Sequence, residues 1–169
     1  MKPKDVAYAF EIPKLKNGAH NFEFAVGDDF FRRVEEPVVE GAAVKVSLKV
    51  EKNPRLMVMH YRFEGTIRLN CDRCLRPFDL KVNFAKRVVY SFEPRPAGLN
   101  EEDVFEISPN QTWFDASTDI YDFLSLAAPM RKVPDDCPGP FCPPEVFRYL
   151  TEAAPPRGKI SEVWRPDHD

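Results

Sequence analysis

Apolar residues fall on alternate positions through most of the chain. Val6, Tyr8, Phe10 and Ile12 alternate with Ala7, Ala9 and Glu11, which predicts a strand with one buried face. Phe22, Phe24 and Val26 repeat the pattern. Asp28 is placed to cap a short helix from Asp29 to about Glu35, with Phe30, Phe31 and Val34 turned inward and Pro37 closing it. A hairpin follows. Val44, Val46, Leu48 and Val50 alternate with Lys45, Ser47, Lys49 and Glu51, and Asn53-Pro54 marks the turn. Tyr61, Phe63, Ile67 and Leu69 form the returning strand, with Gly65 as a bulge or bend, and it runs into Cys71. Beyond Cys74 and Pro77, Phe78, Leu80, Val82 and Phe84 begin another strand, which kinks near Ala85 to Arg87 and continues through Val88, Tyr90 and Phe92.

The period changes in the second half. Glu93 to Glu102 reads as a turn-rich loop, and Val104 to Ile107 as a short strand. Ser117, Thr118 or Asp119 caps a helix whose apolar positions Ile120, Phe123, Leu124 and Ala127 follow the helical spacing, and Pro129 ends it. A proline-framed loop carries Cys137 and Cys142. Pro144 opens a last helix, Glu145 to Ala154, and Pro155-Pro156 ends it. The pattern predicts an α+β fold: a twisted antiparallel sheet or open barrel with two or three short helices. Residues 1–155 form one domain and 156–169 a tail.

Composition agrees with a packed domain. The chain has 169 residues, 43% hydrophobic and 30% charged, enough apolar side chains for a core. Its 14 Phe suggest sheets packed face to face or against a helix. The net charge is −3, which argues mildly against a dedicated nucleic-acid binder. The charge is uneven, however. Arg68, Arg73, Arg76, Lys81, Lys86 and Arg87 stand against Asp72 and Asp79, a local +4, whereas Glu93 to Asp136 carries ten acids and three bases. A bipolar chain can meet an anionic partner on one side. The apolar run Val6 to Phe10 is too short for a signal sequence, and no stretch approaches the ~18 apolar residues of a spanning helix, so the expected place is the cytosol.

In that compartment four cysteines read as metal ligands or redox groups before disulfides. They form two close pairs, Cys71-x-x-Cys74 and Cys137-x4-Cys142, with 62 residues between the pairs. Two residues between cysteines let both sulfurs face one ion from a tight turn, and four thiolates close a tetrahedral Zn²⁺ shell with no place for water. Such a site is structural and staples the hairpin to the proline-framed loop. Arg73 and Arg76 are placed to offset its negative charge. The alternatives are four reduced cysteines buried as small hydrophobes and a redox pair. The redox reading lacks the helix N-terminus that normally activates a C-x-x-C motif.

No other constellation points to catalysis. His20, His60 and His168 are scattered, and 7 Gly supply no phosphate-cradling loop. Asp119 and Asp122 read as helix-start residues that favour the dipole. The basic run from Arg68 to Arg87 is the best candidate surface, with Arg76 and Lys81 able to contact phosphates. The plainer explanation is a solvated sheet face that also compensates the thiolates.

The run Gly65-Thr66-Ile67-Arg68-Leu69-Asn70-Cys71-Asp72-Arg73-Cys74-Leu75-Arg76-Pro77-Phe78 resembles the hallmark of the YceD-like family, the large ribosomal RNA subunit accumulation proteins. Asp119-Ile120-Tyr121-Asp122-Phe123-Leu124-Ser125-Leu126-Ala127-Ala128-Pro129 is similar to that family's acidic, hydrophobic helix ending in proline, and Cys137 and Cys142 follow where many members have a second pair. The resemblance implies a non-enzymatic accessory role in 23S ribosomal RNA accumulation and large-subunit biogenesis, with ribosomal RNA or a large-subunit ribosomal protein as partner. No membrane and no small-molecule substrate are expected. A protein-interaction module without RNA contact is the second reading, and a thiol-disulfide redox protein the third.

Overall fold

The computed structural model describes residues 6–32, 37–93, 104–137 and 142–145. Its frame is a five-stranded sheet of β2 (Gly18–Val26), β3 (Gly41–Lys52), β4 (Leu56–Asn70), β5 (Pro77–Ser91) and β6 (Val104–Glu106), in that spatial order. β2 to β5 are antiparallel neighbours, and β6 joins β5 in parallel, Val89 facing Val104. The sheet is therefore mixed and open. Among the described residues β2 and β6 are its two edges, so no barrel closes. A small ribbon of β1 (Ala9–Glu11) and β7 (Trp113–Asp115) and the helices α1 (Asp28–Phe31) and α2 (Ser117–Ala127) complete the domain.

Strict alternation decides which face is covered. Val44, Val46, Leu48 and Val50 of β3 and Met57, Met59, Tyr61, Phe63, Ile67 and Leu69 of β4 share one face and are buried. The ribbon and α2 lie against that face. Phe10 of β1 stacks on Phe22 with ring centroids 4.7 Å apart and on Phe114 at 5.4 Å. Phe123 of α2 meets Tyr61 and Phe63 edge-on at 5.6 and 6.0 Å. The opposite face of β2 to β4 carries polar and charged side chains, the usual arrangement of a one-sided antiparallel sheet.

Several sequence expectations change. The strand at Val6 to Ile12 shrinks to three residues, because 3₁₀ turns at Val6–Tyr8 and Ile12–Lys14 flank it and Pro13 lies in the second. α1 has four described residues, with Phe31 fully buried; Asp28 does not cap it, since its Oδ1 accepts the Ala42 amide at 3.0 Å. Val34 and Glu35 lie outside the described residues. Gly65 is no bulge, because the β3–β4 register runs unbroken with Gly65 opposite Val44. Glycine is required there by φ = +152° and by the closeness of β3, whose Ala43 carbonyl a Cβ would strike. β5 does not kink. Its register to β4 is continuous, and Lys86 keeps its turn on the core side opposite Tyr61 while its side chain stays exposed. A lysine's aliphatic stem can run along apolar surface with the ammonium in water, so the alternation survives it.

The hairpin turn is built as expected. Asn53 Oδ1 accepts the amides of Arg55 and Leu56 at 2.9 and 2.8 Å. The loop expected at Glu93 to Glu102 falls outside the described residues beyond Glu93. So do the last helix beyond Glu145 and the tail. Among the described residues no helix is long and apolar enough to cross a membrane.

Candidate functional site

β4 ends at Asn70 and β5 begins at Pro77, so the six residues between them form a knuckle at one end of the two longest strands. The Cys71 amide donates to the Arg76 carbonyl and the Leu75 amide to the Cys71 carbonyl, each at 2.9 Å. Closing this turn puts Leu75 in the left-handed region at φ = +58°, with its side chain in solvent. That conformation costs a non-glycine residue about 1 kcal/mol, an indication that the turn is held from elsewhere.

The segment after α2 supplies the hold. Asp72 donates its amide to the Lys132 carbonyl at 2.8 Å, and its Oδ2 accepts the Lys132 amide at 2.7 Å. Arg76 donates to Asp136 Oδ2 at 2.7 Å. These braces bring Cys137 over the knuckle. Cys71, Cys74, Cys137 and Cys142 are all buried in one cluster, with Phe78 and Val133 against it. The ligand atoms of Cys71, Cys74 and Cys137 lie within 4.8 Å of one another, close enough to bind one metal ion. The Cys71 and Cys137 sulfurs are 3.7 Å apart, and Cys142 stands beside Cys137 at 3.8 Å. Disulfide sulfurs would sit at about 2.05 Å. Thiolates at about 2.3 Å from a tetrahedral zinc are about 3.8 Å from each other, so the two measured separations fit that donor set.

Electrostatics act on the same cluster. Burial, followed by hydrogen bonds with Cys71, Cys142 and Cys74, pushes the Cys137 thiol up to about 12. Cys137 is thus reluctant to ionise unless a cation shares the cluster. The Arg76 guanidinium is held still more firmly protonated, first by its hydrogen bond to Asp136 and in part by Cys142 and Cys74. Arg76 is therefore the cation of the thiol cluster, as its spacing suggests. Arg73 lies half-buried on the knuckle turn.

The six bases of the run from Arg68 to Arg87 do not form one patch. Arg68, Lys81 and Arg87 lie on the open face of β4 and β5, Lys86 faces the core side, and Arg73 and Arg76 belong to the knuckle. Arg68 is held at 3.4 Å from Asp79 and 3.7 Å from Asp28. The open face gains Lys45 and Lys49 from β3 and Arg62 from β4, which a search for one basic run passes over. Strand alternation was the signal that could have found them.

A second polar site joins α2 to the sheet. Asp119 accepts the Tyr61 and Tyr90 hydroxyls on its two carboxylate oxygens, each at 2.6 Å. Burial raises its pKa, while the two hydroxyls act in the opposite direction. Burial and then Asp119 raise both tyrosines above their ordinary range. The residue read as a dipole-favouring helix start is instead the acceptor for two core tyrosines. A tyrosine at an inward strand position needs such a partner.

No curated protein and no solved structure matches this chain. A family model described as "Large ribosomal RNA subunit accumulation protein YceD" matches residues 59–153, more than half of the sequence. The match spans most of β4, the knuckle, β5, α2 and both cysteine pairs. The chain with this thiol-lined knuckle belongs to the YceD family.

Proposed function

We propose that the chain is a non-enzymatic accessory factor in 23S ribosomal RNA accumulation and large-subunit biogenesis, acting in the cytoplasm, with a structural Zn²⁺ on Cys71, Cys74, Cys137 and Cys142. The observation that carries the reading is the family match across residues 59–153, which takes in the whole thiol cluster. The donor chemistry supports zinc: four buried sulfurs, sulfur–sulfur distances of 3.7 and 3.8 Å, and a cation at Arg76. Four thiolates leave no open coordination position, so the ion would stabilise the fold rather than activate water. Its role is to tie the β4–β5 turn to the segment after α2. By analogy with a covalent crosslink of similar span, closing that loop stabilises by roughly 4 kcal/mol.

The reading is tested by depletion and by gradient fractionation. Depleted cells should lose 23S RNA and accumulate incomplete large subunits, and the protein should migrate with large-subunit precursors. Normal RNA levels and subunit profiles on depletion would reject it. Metal analysis of protein purified without chelator should give about one zinc per chain; less than about a tenth of an equivalent would reject the metal.

A second reading is an interaction module that contacts only protein. The exposed Leu126 and Met130 on and after α2 favour it. Recovery of the same partners with and without ribonuclease separates the two.

A further inference from the structure

The open face of the sheet differs in sign from the rest of the chain. On β3, β4 and β5 it presents Lys45, Lys49, Arg62, Arg68, Lys81 and Arg87, all exposed. With β2 included, its acids are Glu23, Glu51, Glu64 and Asp79. The face thus holds six of the 24 Lys and Arg but four of the 27 Asp and Glu, a charge of +2 against −5 for everything else.

The register fixes the layout. Lys49, His60 and Arg87 form one row across three strands, and Arg68 lies eight residues along β4 from His60. Strands about 4.8 Å apart with a rise of about 3.3 Å per residue make this a plate of about 26 by 10 Å. Its acids are each held by a neighbouring base: Glu23 by Lys45 at 2.9 Å, Glu51 by Lys49 at 2.6 Å, Glu64 by Arg62 at 2.7 Å and Asp79 by Arg68 at 3.4 Å. Exposed pairs of this kind are weak and easily exchanged, so a phosphate can take the place of a carboxylate.

The face carries no Phe, Tyr or Trp, and its one aromatic ring is the imidazole of His60. Phe22, Phe24, Tyr61, Phe63, Phe84 and Tyr90 all have the parity that turns them to the core side. Single-stranded RNA is bound largely by stacking bases on such rings, and a half-exposed imidazole is all this surface has to give. It offers cations with Ser47, Thr66 and Asn83 between them, donors suited to phosphates and 2′-hydroxyls. We infer that the open face of β2 to β5 is a docking surface for the phosphate backbone of base-paired RNA. The inference rests on the biogenesis reading and names the surface and the ligand class that serve it.

The test compares the full chain with a face variant, Lys49→Gln, Arg62→Gln, Lys81→Gln and Arg87→Gln together. A charge-matched control carries Lys14→Gln, Lys16→Gln, Lys86→Gln and Arg131→Gln, all exposed and off the face. The probes are a 24-base-pair RNA duplex of mixed sequence and one of its single strands. The wild type should bind the duplex at least as tightly as the strand. The face variant should bind the duplex on the order of 10²-fold more weakly at 0.1 M salt, with a log–log salt slope smaller by about 3. The control should stay within about threefold of wild type. Equal losses in both variants, unchanged affinity of a folded face variant, or preference for the single strand would each overturn the inference. So would a wild type that binds neither probe. In that case continued migration with large-subunit precursors would leave the biogenesis reading standing, and its loss would remove both.

Discussion

Replacing Asp119 by alanine should be among the most damaging single changes to the fold outside the apolar core. The carboxylate accepts two tyrosine hydroxyls at 2.6 Å, from β4 and β5, and so fastens α2 to the two longest strands. A hydrogen bond to a charged group contributes about 1.5–3 kcal/mol net, and two would give about 3–6. Burial of the carboxylate, the larger influence on its raised pKa, offsets part of that. A net loss of about 2–4 kcal/mol follows. Tyr61 would be left with only the Met59 sulfur at 3.3 Å among its described partners. For a domain of this size the loss corresponds to a fall in Tm of about 5–15 °C. Asp119→Asn keeps one acceptor and can donate from its amide to the other tyrosine oxygen, so it should cost far less. Wild type and Asp119→Asn also differ in pH response, because only the carboxyl titrates. A carboxyl whose native pKa is raised keeps its proton after the unfolded chain has lost it. The contribution of Asp119 is therefore full below about pH 3.9, the unfolded value, and declines as pH rises through the raised native pKa. The stability advantage of wild type over Asp119→Asn should shrink as pH rises from 4 to 7. Thermal and urea unfolding followed by circular dichroism measure both effects. A Tm for Asp119→Ala within about 1 °C of wild type, or an advantage over Asp119→Asn that grows with pH, would refute the reasoning.

Cys137→Ser should lower the zinc content of the purified protein well below one equivalent, and a chelator added to wild type should reduce Tm; colorimetric zinc release and calorimetry check both. Arg76→Gln should speed zinc transfer to a competing chelator, because it removes both the bond to Asp136 and a cation beside Cys74 and Cys142; an unchanged transfer rate would oppose that. Gly65→Ala should destabilise by at least about 2 kcal/mol, since the position combines a positive φ with backbone contact to Ala43 and Val44; the urea midpoint reports it. Leu124→Ala removes a fully buried side chain of α2 and should cost about 2–5 kcal/mol by the same measurement.

Much of this architecture is legible in the sequence because a one-sided sheet writes its register into every second residue. Val44 to Val50 and Tyr61 to Leu69 identify their strands and their buried face without help. The same regularity misleads where a polar residue interrupts it: Lys86 reads as a kink, although its stem lets it stay in register. Three-residue strands such as Trp113–Asp115 carry too little pattern to be seen, and their pairing with β1 is a tertiary contact between distant segments. The parallel joining of β6 to β5 is likewise invisible to a local rule. At the knuckle, spacing alone brings Cys71 and Cys74 together, but nothing local brings Cys137 to them. That depends on the pairing of Asp72 with Lys132, one bond between backbones and one from the Lys132 amide to the Asp72 carboxylate, and no local pattern marks the two as partners. The basic run shows the opposite failure. Residues contiguous in sequence are dispersed in space, because alternation sends Lys86 and Arg87 to opposite sides of the sheet.

The cluster of sulfurs also sets a schedule for synthesis. Cys137 follows Cys71 by 66 residues, which takes a ribosome roughly 3–13 s to polymerise at about 5–20 residues per second. The β3–β4–β5 meander is complete by Ser91, so it can fold while its end turn still presents only two thiols. At that point the knuckle holds two of the cluster's four cysteines, and Cys137 and Cys142 can join them only after the proline-rich stretch that carries them has left the exit tunnel.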